Sequence, residues 1–376
     1  ETLDDMTIEE WFAESPHFFT TNFWYMWQTT FAFQKWSSLF EFKRYMERMI
    51  FEFSRIETLE GVTRTPYNQY DSVILPLRTY LEGYGVNFHT NATVTDLDFK
   101  EGHSITVTAI HLETSEGEEI ITLQDQDLCI MTNGCMTDSA TLGDMYTPAP
   151  YNPTNPISGD LWAKVAAKRE GLGNPEPFFG HPDETNWESF TVTCKGNKLL
   201  KMIEQFSGNI PGSGALMTFK DSNWLMSIVV AAQPHFKNQP ADTTIFWGYG
   251  LYTDKTGNYV KKAMRDCTGE EILTELIHHF HWEDHLDEIM ADVVNVIPRK
   301  MTDRPQVIPQ GSTNFAMISQ FVEIPEDMVF TEEYSVRAAR MAIYKLMGVT
   351  DKTICPVTPY KKDKKVLLKA LKKSYS

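Results

Sequence analysis

Apolar residues recur every three to four positions in LFEFKRYMERMIFEFSRI: Leu39, Phe42, Met46, Met49, Ile50 and Phe53, with charges between them. That period predicts a helix with one buried face. Residues 7–60 read as helical on the same ground. They begin at Thr7, whose Ile8-Glu9-Glu10 sequel carries a capping-box signal. Gly61 is a stop. RTPYNQYDS is polar and turn-like, with Pro66 excluding a helix interior. Ser72 to Tyr84 reads as a further helix with Pro76 in its first turn.

From Val86 the period changes to two. NFHTNATVTDLDF, SITVTAIHLET and EEIITLQDQDLCIMTNG alternate and are rich in Val, Ile and Thr, so they predict strands. A Pro- and Tyr-rich loop follows (Tyr146 to Pro156), then a helix through Trp162 to Arg169. FTVTC, ALMTF, WLMSIVVAA and TTIFWGYGLY predict more strands. Thr268 to Ile289 reads as one helix, and residues 293–308 look extended. GSTNFAMISQF comes next, then the helix EEYSVRAARMAIYKLMGV. The mixture predicts an α/β to α+β fold, with a β-rich middle region inserted between parts of a first domain.

Composition narrows the class. The 376 residues suffice for two domains, and 42% hydrophobic with 23% charged content is ordinary for a globular protein. A formal charge of −17 argues against nucleic acid as a partner. Five scattered cysteines give neither a disulfide framework nor zinc spacing, and suggest reduced thiols in the cytosol. The tail from Lys361 to Ser376 runs the other way, with seven lysines against one aspartate. Its Leu367, Leu368 and Leu371 share one helical face, which suits an anionic membrane surface as well as it suits a solvated terminus.

Candidate chemistry is sparse. There is no P-loop, HExxH, GxSxG or CxxC. The densest signal is residues 18–45, far more aromatic than the chain's 12% average, with Gln28, Thr29, Thr30, Gln34, Ser37 and Tyr45 threaded through. Such a block is expected to wall a long apolar ligand. Tyr45 lies near the apolar face of its helix. It is either core or an acid at a cavity edge, since an ordinary phenol, with a pKa of about 10, is a proton donor at neutral pH. Arg64, Tyr67, Asn68, Gln69 and Tyr70 form a polar loop able to orient a headgroup or a water, or simply a self-satisfied turn. Asn133-Gly134 after a strand permits close approach to a dinucleotide, though a plain turn reads the same. Gly311, Ser312 and Thr313, read as lying upstream of a helix, would offer N–H groups to an anion or merely cap that helix. His278, His279, His281 and His285 are taken as a solvated helix face, and no metal is expected.

Taken together, FWYMWQTTFAFQKWSS, EFKRY, RTPYNQYDS, TNGCMTDS, DSNWLMS, QPHFKNQP, FWGYGLY, GSTNFAMISQF and EYSVRAARMAIYKLMGV resemble the oleate hydratases. These are FAD-containing fatty acid double-bond hydratases, also called myosin-cross-reactive antigens. The resemblance runs the length of the chain. It implies a flavoprotein-like fold, with water added to an isolated cis double bond of a free fatty acid such as oleate or linoleate, as in oleate to 10-hydroxystearate. The family's proton-donating tyrosine falls on Tyr45. Its YNQY motif falls on Tyr67, Asn68, Gln69 and Tyr70, with Gln69 lining the site. FAD contacts are implied at Ser312, Thr313 and Asn314, and at Asn133 and Gly134. The scattered thiols lead to an expected cytoplasmic location and the basic tail to peripheral membrane contact, and a homodimer is expected.

The implied organisation is a helical substrate-site region (1–60), a β-rich part of the FAD-binding domain (61–145), a substrate domain (146–300), a return to the FAD-binding domain (301–350) and a basic amphipathic tail (351–376). The family's N-terminal glycine-rich turn has no counterpart in this sequence, which opens at Glu1. Nor does its RGGREME-type segment, whose glutamate is held to activate the water. The expectation is a C-terminal portion of a longer protein, with severely reduced FAD affinity and hydration nearly lost in this chain alone. Val229 to Ala232 replace a family Asn-containing stretch, so no carboxylate-binding role is carried onto them. The alternatives from other classes are a non-catalytic lipid-binding module and a flavin oxidase or isomerase acting on lipid.

Overall fold

The computed structural model describes Leu3 and residues 6–56, 58–135, 137–138, 140–152, 157–213, 216–299, 307–328, 332–358 and 363–374. Its strands are β1 (Ala92–Phe99), β2 (Val107–Thr114), β3 (Gly117–Thr122), β4 (Cys129–Thr132), β5 (Glu188–Lys195), β6 (Met217–Thr218), β7 (Met226–Val229), β8 (Thr243–Gly250), β9 (Val293–Arg299) and β10 (Phe315–Ile318). They form three sheets. β1-β2-β3 is an antiparallel meander, β10 and β4 are a parallel pair, and β6-β7-β8-β5-β9 is antiparallel throughout. The fold is therefore mixed α/β, as the change of period predicts.

Three main hydrophobic cores organise these elements. The first belongs to the N-terminal helices. Thr7 caps the short Ile8–Trp11 helix in a reciprocal box with Glu10. Thr21 and Ser38 cap the helices Asn22–Phe31 and Leu39–Met49. The helices bury Trp24, Trp27, Leu39, Phe42 and Met49 against one another, joined from afar by Met328 and Ala370. The second core lies between the meander, the parallel pair and the helices Ile157–Lys168 and Glu332–Leu346, with Trp162, Phe315, Phe321 and Tyr334 fully buried. Although it falls within residues 146–300, the Ile157–Lys168 helix packs on β1 in this core. The third core fills the five-stranded sheet and the Gly269–His279 helix around Phe190, Trp224, Phe246 and Phe280.

Three expectations are corrected here. The single helix from Thr268 to Ile289 is interrupted. Gly269–His279 ends, His281 takes φ 59°, and a new helix runs Leu286–Asp292. His281 and His285 thus do not share a continuous face. The segment after Ser312-Thr313-Asn314 is a strand, not a helix: Phe315–Ile318 is β10, pairing with Cys129–Thr132. Its apolar run is buried on both faces between layers, the usual condition of a parallel strand, so no helix N-terminus is available there for an anion. The aromatic block is mainly core: Phe19, Trp24, Trp27, Phe33 and Phe42 are all buried in the first cluster. Trp24, Trp27 and Phe31 recur at helical spacing, so most of that density goes to helix packing. Of the extended stretch 293–308, β9 accounts for Val293–Arg299, and residues 300–306 lie outside the described residues.

The helix Leu75–Gly83 follows a π-helical turn, Tyr70–Ile74, with Pro76 near its start as expected. It buries none of its residues, and Leu77 and Tyr80 are more than half exposed.

Candidate active site

Where the helical core meets the five-stranded sheet, a half-enclosed cavity of about 1290 Å³ opens. It exceeds the usual range for drug-sized ligands, which suits a long or composite occupant. The N-terminal helices contribute Phe31, Phe33, Trp36 and Tyr45; the sheet and its approaches contribute Trp187, Val229, Trp247 and Tyr249. Leu59, Val62, Leu216, Leu251 and Met328 add further apolar lining.

Tyr45 reaches this space because of its helix phase. Phe42 and Met49 flank it at three and four residues and are buried, while Tyr45 itself is half-buried at the cavity wall. Phe31 and Phe33 pack edge-on against its ring, with centroids at 5.2 and 5.1 Å. That clamp fixes the phenol at a defined place.

Behind the wall lies a buried polar layer. Gln28 donates through Nε2 to Tyr252 Oη at 2.7 Å, the Thr29 and Thr218 hydroxyls meet at 2.9 Å, and Tyr249 Oη donates to the Thr29 carbonyl. These bonds tie the Asn22–Phe31 helix to the sheet, so the cavity is held open by two elements that cannot slide independently. Burial raises the phenols of Tyr249 and Tyr252, so both stay protonated.

The polar loop sits at the rim, and its side chains divide by role. Asn68 Nδ2 donates to Asp71 Oδ2 at 2.7 Å and to the His235 carbonyl at 3.2 Å, while its own N–H donates to that carbonyl at 2.7 Å. Asn68 therefore pins the loop to the 233–239 turn. Arg64 donates to the Gly212 carbonyl at 3.0 Å and anchors the loop's other end. Tyr67, Asn68 and Gln69 line the cavity; Tyr70 is 55% exposed and does not. His235 also lines it, a residue the motif reading passed over. Burial lowers its pKa against a small opposing pull from Asp71, so its ring is neutral at neutral pH.

Carboxylates dominate the charge of the wall: seven Asp or Glu residues line it against two arginines, Arg48 and Arg64. Most are engaged. Arg44, buried beneath, bonds Glu41 at 3.0 Å and Glu323 at 2.5 Å. Asp327, 2% exposed, accepts from Arg48 at 2.8 Å and Arg337 at 3.2 Å. Burial and the adjoining Asp327 raise the Glu333 pKa. Burial also opposes ionisation of Asp327, but bonds from Glu333, Arg48 and the Met328 N–H outweigh it and lower that pKa.

Thr29, Thr30, Gln34 and Ser37 of the aromatic block also line the cavity, whereas the residues implied for FAD lie away from it. Asn314 is an internal clip: Val107 N–H donates to its Oδ1 at 2.8 Å, and its Nδ2 donates to the Val107 carbonyl at 2.9 Å. The Thr313 and Thr106 hydroxyls meet at 2.6 Å, and Ser312 Oγ donates to the Phe315 carbonyl. All three side chains are thus occupied in joining β10 to β2 or shaping its entry. Gly134 is close-packed, since a Cβ there would stand 2.7 Å from the Phe321 ring. Asn133 is fully buried at the carboxyl end of the parallel pair. Its Oδ1 accepts from Ser319 Oγ at 2.9 Å, and its Nδ2 has no acceptor.

With this geometry in view, the chain can be set beside known proteins. The model of the MCRA family matches residues 1–344. Linoleate hydratase from Lactiplantibacillus plantarum is 42% identical over 99% of this chain and 71% of its own length. Oleate hydratase from Streptococcus pyogenes serotype M49 (strain NZ131) is 37% identical over 93% of this chain and 62% of its own. The chain spans about two thirds of the length of these curated relatives. A salicylate hydroxylase solved as a substrate complex covers 72% of this chain and 56% of its own at 12% identity, with a TM-score of 0.37.

Proposed function

The chain belongs to the MCRA family, and from that premise we propose that it forms the lipid cavity and carries the proton donor of a fatty acid hydratase. The reaction adds water across an isolated cis double bond. The observation that carries this reading is Tyr45, held edge-on by Phe31 and Phe33 at the wall of a large, mostly apolar cavity. Protonation of an unactivated alkene needs a fixed acid, exclusion of bulk water and surroundings that tolerate positive charge. Tyr45 supplies the acid, the apolar part of the lining limits the access of bulk water, and aromatic faces stabilise the cationic carbon. Water activation is assigned, as the resemblance implies, to a glutamate outside this sequence.

The test is Tyr45→Phe, in this chain or in a chain with the longer span of its relatives, wherever turnover is measured by mass spectrometry of the hydroxy fatty acid. Loss of a general acid should lower kcat about 100-fold or more, with oleate affinity unchanged. Unaltered kcat would overturn the assignment. Oleate binding without turnover in any form would favour the lipid-binding module.

FAD is the cofactor this reading carries. Asn133 is the residue that fits it, since its buried Nδ2 lacks an acceptor at the carboxyl end of a parallel strand, where α/β sheets receive ligands. Ser312, Thr313 and Asn314 do not fit as side-chain contacts, because each is already bonded within the protein. Hydration moves no electrons overall, so a bound flavin would supply a rigid polar surface.

The reading extends to the C-terminal helix Lys364–Ser374. Ala370 docks it on the first core, while Leu368 and Leu371 remain more than half exposed beside the lysines. Lys361 and Lys362 lie outside the described residues. Such a helix would rest on an anionic bilayer; no helix among the described residues is long and apolar enough to cross one.

A further inference from the structure

Several buried side-chain nitrogen and oxygen atoms have no hydrogen-bond partner among the described residues. Of the residues that carry them, Asn186 alone also lines the cavity. It is 9% exposed, and neither Oδ1 nor Nδ2 is satisfied. A buried amide left in this state costs stability, and a ligand that offers it both a donor and an acceptor recovers that cost.

The local backbone holds Asn186 in place. It ends the short Pro182–Thr185 helix in an extended conformation (φ −68°, ψ 124°), two residues before β5. Trp187, the next residue, packs on Tyr249 at 5.3 Å, and Tyr249 is bonded to the Thr29 carbonyl. The amide therefore sits on a braced wall, between Thr185 and the Trp187 ring, which also line the cavity.

The chemistry of its partner follows from charge. The lining is acidic, with seven carboxylic residues against Arg48 and Arg64, and Glu184 stands two residues from Asn186. An anionic headgroup would gain little there. A neutral hydroxyl, which donates to Oδ1 and accepts from Nδ2, matches both unsatisfied atoms. We propose that Asn186 is a positioning residue for the oxygen added to the fatty acid, holding it as water before the reaction and as the mid-chain hydroxyl of the product afterwards. This rests on the fatty acid reading given above.

The test needs no turnover. Stearate and mid-chain hydroxystearates are titrated against the full chain by displacement of a fluorescent fatty acid, for the wild type and for Asn186→Leu and Asn186→Ala. The expected result is that the wild type prefers at least one hydroxystearate by roughly tenfold, as a recovered buried hydrogen-bond pair allows. Both substitutions should erase that preference and leave stearate binding within about twofold. Equal wild-type affinity for stearate and every hydroxystearate, or a preference that survives the substitutions, overturns the role of Asn186 and leaves the fatty acid reading standing. Failure of the wild type to bind any of them overturns both. Equal wild-type affinities overturn the role even if one variant does not fold, and the other variant then carries the comparison.

Discussion

Glu275→Gln should cost the fold about 3 kcal/mol, because Glu275 organises a whole loop from inside the third core. It is fully buried on the Gly269–His279 helix. Its Oε1 accepts from Asn258 N–H at 2.6 Å, and its Oε2 accepts from Tyr259 N–H at 2.9 Å and Val260 N–H at 2.7 Å. His279 Nε2 lies 3.3 Å away. The loop has no slack: a Cβ on Gly257 would fall 2.8 Å from Trp224 and 3.0 Å from the Glu275 carboxylate. A hydrogen bond to a charged acceptor is worth about 1.5–3 kcal/mol net. In its better orientation a glutamine keeps an oxygen for Tyr259 and Val260. It turns its NH2 against Asn258 and neutralises the other two bonds, so roughly 3 kcal/mol is lost; Glu275→Ala should lose more.

Urea unfolding followed by tryptophan fluorescence measures this. Trp224 is a built-in reporter, since its Nε1 donates to Lys255 in the same loop at 2.8 Å. A pH series adds a second check. Burial opposes ionisation of Glu275, but His279 and the three backbone donors outweigh it and hold the pKa below its ordinary 4.5. A lowered folded pKa contributes stability that is present above the ordinary value and lost as pH falls through the lowered one. Wild-type stability should therefore drop below about pH 4.5 by an increment that Glu275→Gln lacks. A loss under about 1 kcal/mol, or acid limbs that run parallel in the two proteins, would refute the reasoning. The consequence should reach the cavity, because Tyr252, just upstream in the loop, holds Gln28 behind its wall.

Other outcomes follow from the same contacts. Asn314→Ala should destabilise the protein by about 2 kcal/mol even without flavin, since it removes a two-bond clip between β10 and β2; an effect confined to flavin titrations would make it a cofactor contact instead. Gly134→Ala should cost about 1–3 kcal/mol through its clash with Phe321, read as a lowered midpoint in thermal unfolding. Removing residues 364–374 should abolish salt-sensitive flotation with anionic vesicles, and flotation that persists would place the membrane contact elsewhere.

How much of this was legible in the chain depends on the range of the interaction. The capping box at Thr7, the amphipathic Leu39–Met49 helix and the alternation of β1 and β2 are set by neighbours a few residues apart, so their signals lie in the sequence. Tyr45 facing a cavity was one of two readings its helix phase allowed. Phe315–Ile318 becoming a strand was not legible, because a short apolar run has no period of its own and takes its form from Cys129–Thr132, more than a hundred residues away. The division of the aromatic block between core and cavity escaped for a related reason. Each ring's surroundings depend on which element closes over it.

The sequence by itself determined the family, the element types where periodicity was long, and the residues able to act as an acid. Only the tertiary structure decided which of those residues share one space. It separated Tyr67 and Gln69 from Tyr70, assigned Asn314 to the sheet, and left the Asn186 amide unpaired at the wall of the cavity. The physical reason is that hydrogen-bond satisfaction belongs to a folded neighbourhood. No stretch of sequence states which buried donor will find its acceptor and which will wait for a ligand.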